Sequence, residues 1–180
     1  MTFRNKVMNK ATAHGFTLLE LIVVLSVLAI LLSWGMPSLT QSIRNNSVLA
    51  QTNELIAMLH FTKSEALRRN SDVRVVLDAD VGSWEAFVDD PADAEDVDSC
   101  LPGQLRCASF TGANLTADVT EIRYNNRGYI RSDGEDWAPE TLYVQHSECQ
   151  GNSQRRRIDI TATGQIRSCT LACNDLESEC

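Results

Sequence analysis

Residues 16–36 leave this chain few choices. From Leu21 to Leu32 every residue except Ser26 is apolar. Drawn as a helix rising about 1.5 Å per residue, the span 16–36 reaches roughly 30 Å, enough to cross the hydrocarbon core of a bilayer. One carboxylate, Glu20, stands near its start. A carboxylate at the centre of a membrane helix costs about 2.5–3.5 kcal/mol, and less near the end, so a charge kept there asks for a partner. Ahead of it lies a short leader with Arg4, Lys6 and Lys10 and no acid. Such a flank stays cytoplasmic, which directs the rest of the chain across the membrane. An ordinary secretory signal is cut behind its apolar region, at small residues. Here the polar-to-apolar switch falls ahead of that region, at Gly15/Phe16. A cut there keeps the apolar run in the mature chain.

The basic leader, Gly15, and then Phe16-Thr17-Leu18-Leu19-Glu20-Leu21 with its unbroken apolar run resemble the class III signal of type IV prepilins and type II secretion pseudopilins. That resemblance implies cleavage after Gly15 by a prepilin peptidase and N-methylation of Phe16. It also implies that Glu20 pairs with the α-amino group of Phe16 on a neighbouring subunit in a filament. Pilins commonly carry a proline at the depth of Pro37, where the helix kinks or melts. A proline also removes one helical hydrogen bond. Pro37 is therefore expected to mark the exit from the membrane, with Ser38 capping a resumed helix.

From Ser38 to about Asn70 the pattern is helical. Val48, Thr52, Leu55, Leu59 and Ala66 recur at three- and four-residue steps, and Leu49, Ile56 and Leu67 widen the stripe. The helix end, Phe61-Thr62-Lys63-Ser64-Glu65-Ala66-Leu67-Arg68-Arg69-Asn70, is similar to the signature that closes the helix in the GspH/FimT branch of minor pilins. Strand signals follow: 73–77, 84–88, a hairpin from 121–124 to 129–130, then 141–145, 155–161 and 165–169. Alternation places Trp84, Ala86 and Val88 on one face and Glu85 and Phe87 on the other. Asp89 to Asp98 reads as a solvated acidic loop, without the spacing or turn glycine of a calcium-binding EF-hand. One long helix followed by strands predicts an α+β fold. The resemblance specifies a type IV pilin-like fold, with a long N-terminal helix packed on an antiparallel C-terminal β-sheet.

The formal charge of the 180 residues is −8, and losing the leader makes it more negative. That balance disfavours bulk nucleic-acid binding but leaves room for a local basic patch. All six cysteines, Cys100, Cys107, Cys149, Cys169, Cys173 and Cys180, lie in the C-terminal half. An even number in an exported domain reads as disulfides. Fifteen pairings are open; local closure favours Cys100–Cys107 and Cys173–Cys180, leaving Cys149–Cys169.

Near the end, Arg155-Arg156-Arg157 precedes Ile158-Asp159-Ile160 and then Thr163-Gly164-Gln165-Ile166-Arg167. Alternation puts Arg155, Arg157 and Asp159 on one face, with Arg167 near them across a turn at Gly164. This region resembles the Gly-Arg-x-Arg element through which FimT-type minor pilins engage DNA, with Gln165 in place of the first arginine. The missing charge weakens phosphate binding and flattens its salt dependence. Arg155, Arg157, Gln165 and Arg167 are thus the candidate DNA-binding residues. The competing reading is a structural strand edge whose arginines pair with Asp159 or the acidic loop.

The expected organisation is a leader at 1–15, a transmembrane helix at 16–36, the periplasmic part of the helix at 37–70 and a GspH/FimT-like β-domain with disulfides at 71–180. The expected function is that of a minor pilin, processed by prepilin peptidase, that initiates or caps a type IV pilus. The alternatives are a minor pseudopilin of a type II secretion system and a DNA-binding pilus-tip receptor for transformation. Expected partners are other minor and major pilins, the prepilin peptidase and the inner-membrane assembly platform. The expected place is the inner membrane, single-pass with the C-terminal domain in the periplasm, and then the filament tip. An enzyme is not expected: His14, His60 and His146 come with no nucleophile motif, phosphate loop or metal spacing. No cofactor and no metal are expected.

Overall fold

The computed structural model describes residues 16–80, 82–89, 105–132, 135–136, 139–150 and 153–175. The chain forms two compact units, Met1–Thr40 and Gln41–Cys180. One helix, α1 (Leu18–Arg69), contributes to both. Its backbone is helical at residues 37 and 38, so Ser38 is not the cap of a second helix. Proline removes a single ladder bond, and the apolar flanks here carry the helix on. In the first unit every described side chain from Phe16 to Ser33 is exposed. This is a helix long and apolar enough to cross a membrane.

In the second unit, α1 buries a stripe. Val48, Leu55, Leu59 and Ala66 are buried as expected, together with Met58. Buried Thr52 and Thr62 turn their hydroxyls onto the carbonyls of Val48 and Met58, at 2.7 and 2.8 Å, which satisfies them inside an apolar stripe. Leu67 stays half-exposed instead of widening the stripe. Asn70 ends the helix with φ 55°, a left-handed residue that asparagine tolerates.

Among the described residues ten strands form two antiparallel sheets, the β-layer expected against the helix. They are β1 (Val73–Asp80), β2 (Ser83–Asp89), β3 (Arg106–Thr111), β4 (Ala113–Ala117), β5 (Glu121–Tyr124), β6 (Ile130–Ser132), β7 (Glu135–Asp136), β8 (Glu140–His146), β9 (Gln154–Ile160) and β10 (Ile166–Ala172). Sheet A has the order β3-β2-β1-β5-β6-β7, and sheet B the order β10-β9-β8-β4. Both face one core with the α1 stripe, through Val73, Val75, Ile122 and Tyr124 of sheet A and Leu142, Val144, Ile158 and Ile160 of sheet B.

Three further expectations change. Phe87 is not an outward residue of a half-solvated strand; it is 1% exposed, so β2 is covered on both faces. Asp89 does not begin a solvated loop. It ends β2, is buried, and accepts a hydrogen bond from Arg74 at 3.0 Å. Residues 90–98 of that stretch lie outside the described residues. The disulfides also differ: Cys149 bonds Cys173, with Cα atoms 5.7 Å apart. The register explains this. Cys169 sits inside β10 opposite Arg157, whereas the end of β10 pairs Ala172 with Gln154. Cys173, one residue on, donates its N–H to the Ser153 carbonyl at 3.3 Å, beside the segment that carries Cys149. Cys149–Cys169 and Cys173–Cys180 are thereby excluded. Cys107 and Cys169 are also disulfide-bonded, and Cys100 and Cys180 lie outside the described residues.

Candidate functional site

The first candidate region is the start of α1. Thr17 precedes the helix and accepts the Glu20 N–H on its hydroxyl at 3.2 Å, while its carbonyl accepts the Leu21 N–H at 3.2 Å. Thr17 is therefore the N-cap, and Thr17-Leu18-Leu19-Glu20 has the sequence of a capping box. This feature was legible in the sequence as a Thr three residues before a Glu. Glu20 is exposed and sits in the first helical turn, where the dipole favours an anion. Phe16 stands just outside the helix, 86% exposed. Gly15 lies outside the described residues. Pro37 lies within the α1 span.

The second region ties the helix end to the sheets. Lys63 donates from Nζ to the carbonyls of Thr163 and Gly164, at 3.1 and 2.9 Å. The β9–β10 turn closes on itself through Gly164 N–H to the Thr161 carbonyl, at 2.7 Å, and through mutual bonds of Thr161 and Gln165. The same turn meets the β5–β6 turn, where the Ile130 N–H reaches the Ala162 carbonyl at 3.1 Å. Two segments that looked like separate signatures, the helix end and the Thr163–Arg167 stretch, thus form one knot. Tyr124 is packed beneath it, and burial pushes its hydroxyl above the usual phenol range. At the helix end Glu65 bonds Arg68 and Arg69, and these two guanidinium groups hold its carboxyl down at about 2. On sheet A burial works against the Arg74 charge, but hydrogen bonds to Asp89 and Glu121 outweigh it and raise its pKa.

The third region is the outer face of sheet B, which carries the four candidate DNA-binding residues. Arg155, Arg157 and Asp159 of β9 share this face with Tyr143 of β8 and Arg167 of β10. Arg167 lies directly opposite Asp159, as the turn at Gly164 requires. The side chains have separate fates, however. Arg157 bonds Asp159 at 2.7 Å, and Asp159 also accepts from Thr141 at 3.0 Å. Arg155 is 7% exposed and lies over the Tyr143 ring at 4.0 Å. Arg167 and Gln165 are exposed. The geometry thus brings the arginines onto one face, where Arg167 is exposed, Arg157 is paired with Asp159 and Arg155 is largely buried. A desolvated cation–π contact gives about 2 kcal/mol. Burying an unpaired ion costs several kcal/mol, so the Tyr143 ring alone does not compensate Arg155. The sequence pattern missed this burial, because Leu171 and the neighbouring strands that surround Arg155 are distant in sequence.

Among the described residues no group of three His, Cys, Asp or Glu side chains is placed to hold a metal. His146 accepts the Glu148 N–H on Nδ1 at 3.0 Å, a local turn contact.

The family model described as Type II transport protein GspH matches residues 51–164. The model of the prokaryotic N-terminal methylation motif matches residues 10–36. A search of curated proteins gives no match. Among solved structures, the type IV minor pilin FimU of Pseudomonas aeruginosa is similar with a TM-score of 0.50 and 14% identity, over 68% of this chain and 87% of that one. The minor pseudopilin EpsH from the Type 2 Secretion System of Vibrio cholerae is similar with a TM-score of 0.47 and 15% identity, over 72% and 99%. At such identity the FimU likeness speaks for the fold alone. The family model, by contrast, spans more than half of the chain and includes the helix end, sheet A, strands β4, β8 and β9 of sheet B and the Lys63–Gly164 knot. The chain belongs to the GspH family of minor pilins and pseudopilins, a family of structural subunits, and carries the N-terminal methylation motif.

Proposed function

We propose that this chain is a minor pilin that initiates or caps a type IV pilus. Prepilin peptidase cuts it after Gly15, Phe16 is N-methylated, and residues 16–36 hold it in the inner membrane with the C-terminal unit in the periplasm. It then enters a filament with other minor and major pilins through the assembly platform, at the tip. One observation carries this reading. Every described side chain from Phe16 to Ser33 is exposed, yet the helix opens on a capped turn that presents Glu20. An exposed apolar helix is solvated by lipid or by other subunits. A carboxylate in its first turn is a handle for a cation on a neighbour, the Phe16 amine, and Pro37 lies where that helix leaves the bilayer. The pilus, rather than the secretion pseudopilus, is favoured by the cysteine-rich C-terminal half and by the FimT-like stretch Thr163–Arg167.

The alternative within the same family is a minor pseudopilin of a type II secretion system. A DNA-receptor role has narrower support, from exposed Arg167 alone, since Arg157 is paired with Asp159 and Arg155 is largely buried. Deleting the gene separates the first two readings. The pilus reading expects loss or marked reduction of surface pili with protein secretion intact. Intact pili with failed secretion would replace it by the pseudopilin reading. Mass spectrometry of purified filaments identifies the partners.

A further inference from the structure

Among the described residues Arg155 is a buried cation without an anion. Its Nε is fully buried and has no hydrogen-bond acceptor, and its guanidinium makes no ion pair among the described residues. The carboxylate on the same face of β9, Asp159, is committed to Arg157. A guanidinium carries five donors in a plane. The Tyr143 ring lies against the face of that plane but offers no in-plane acceptor, and the buried Nε has none. The in-plane donors are the ones that a carboxylate engages in a two-pronged bond.

We propose that Arg155 is the receptor for a single carboxylate, an Asp or Glu side chain of a neighbouring protein subunit. Charge complementarity sets the class of partner. A nucleic-acid backbone asks for several accessible cations along its length. Here Arg157 is neutralised in place, Arg155 lies below the surface, and the chain as a whole bears a formal charge of −8. One uncompensated guanidinium instead suits one protruding acid. The inference concerns the C-terminal unit and stands apart from processing at Gly15 and from Glu20.

The test uses the full chain in a neutral maltoside detergent, with arginine labelled with 15N. The probes are a hexaglutamate peptide and a twelve-nucleotide single-stranded DNA. Hexaglutamate is expected to shift the Arg155 Nε resonance. Arg155→Gln is expected to weaken peptide binding about tenfold, with Arg155→Lys restoring only part of it because a point charge lacks the fork. The melting temperature of Arg155→Met is expected to equal or exceed that of the wild type, since an uncompensated charge is removed. Three results would each overturn the proposal: an unmoved Arg155 resonance, equal peptide affinity in Arg155→Gln, or a clearly lower melting temperature in Arg155→Met. Arg155-dependent binding of the oligonucleotide without peptide binding would overturn it too, in favour of a nucleic-acid site.

Discussion

Lys63 on the helix donates to the carbonyl of Gly164 at 2.9 Å, joining residues 101 positions apart. A cation donating to two carbonyls replaces what would otherwise be turn solvation, and it fixes the β9–β10 turn against α1. Hydrogen bonds to a charged group contribute about 1.5–3 kcal/mol. Lys63→Met, which keeps most of the stem, is expected to lower stability by about that amount in urea unfolding of the intact chain. Retained stability would mean that water replaces the ammonium without loss.

Gly164 is the other half of this contact. Its φ is +69°, and a Cβ there would lie 2.4 Å from the Gly128 carbonyl oxygen. Backbone atoms cannot swing aside as a side chain does. Gly164→Ala is therefore expected to cost about 2 kcal/mol or more, measured by the same unfolding curve. It should also loosen the β5–β6 turn, read as faster amide exchange at Ile130.

Glu65 gives a pH signature. Its carboxyl is lowered from 4.5 to about 2, first by the Arg68 hydrogen bond and then by that of Arg69. The unfolded chain thus takes up this proton at higher pH than the folded one. The contribution is full above pH 4.5 and is lost as pH falls toward 2. Glu65→Gln is expected to flatten the stability–pH curve in that window and to leave the neutral-pH slope unchanged. Unchanged steepness between pH 4.5 and 2 would show that other carboxylates govern acid stability.

Cys149–Cys173 closes the segment that grips α1 from the β8–β9 side. That segment supplies Glu148 to Arg44, and its end gives the Gln154 N–H to the Asn45 side chain at 3.1 Å. Losing a native bridge in a small exported domain costs about 2–5 kcal/mol. The Cys149→Ser/Cys173→Ser double variant is expected to lose stability in that range. It should also show faster exchange around residues 44–48, with the core strand β1 protected. Uniform exchange in the wild type and the variant would disprove the grip.

For the membrane segment, the expected mature protein begins at Phe16 and carries one added methyl on its amine, as read by intact mass. Glu20→Ala should insert at least as well, because a charge is gone. It should nonetheless be missing from purified filaments. Normal incorporation would leave Glu20 no role in assembly.

Much of this was legible in the chain itself. The helix stripe through Val48, Leu55, Leu59 and Ala66 was readable because its period is local. So were β1, β5, β8 and β9, whose apolar alternation is strong. The strands β3 and β4 were not. Arg106–Thr111 and Ala113–Ala117 are short, the first has no buried side chain, and the second buries only Ala113 and Leu115. Their state is set by pairing with β2 and β8, which is not a local property. The cysteine pairing misled for a related reason. Shorter loops are favoured only weakly, since doubling a loop costs about 0.6 kcal/mol. The strand register decided the partner of Cys149 instead. The four residues of the basic cluster were placed on the right strands and turn, but alternation cannot tell a solvated face from one that buries Arg155.

The Thr17 cap has a consequence for timing. Before cleavage, the chain ahead of α1 is a neutral amide at Phe16. Cleavage there would create a positive amine one residue outside the helix, beside the end of the macrodipole that repels positive charge. N-methylation retains that charge. The cut would therefore do more than shorten the chain. It would convert a quiet helix start into a site of electrostatic frustration, relieved when a carboxylate in another helix's first turn arrives beside it. In this way proteolysis would itself supply the drive for the next subunit to dock, and an uncut chain would lack the charge that recruits one.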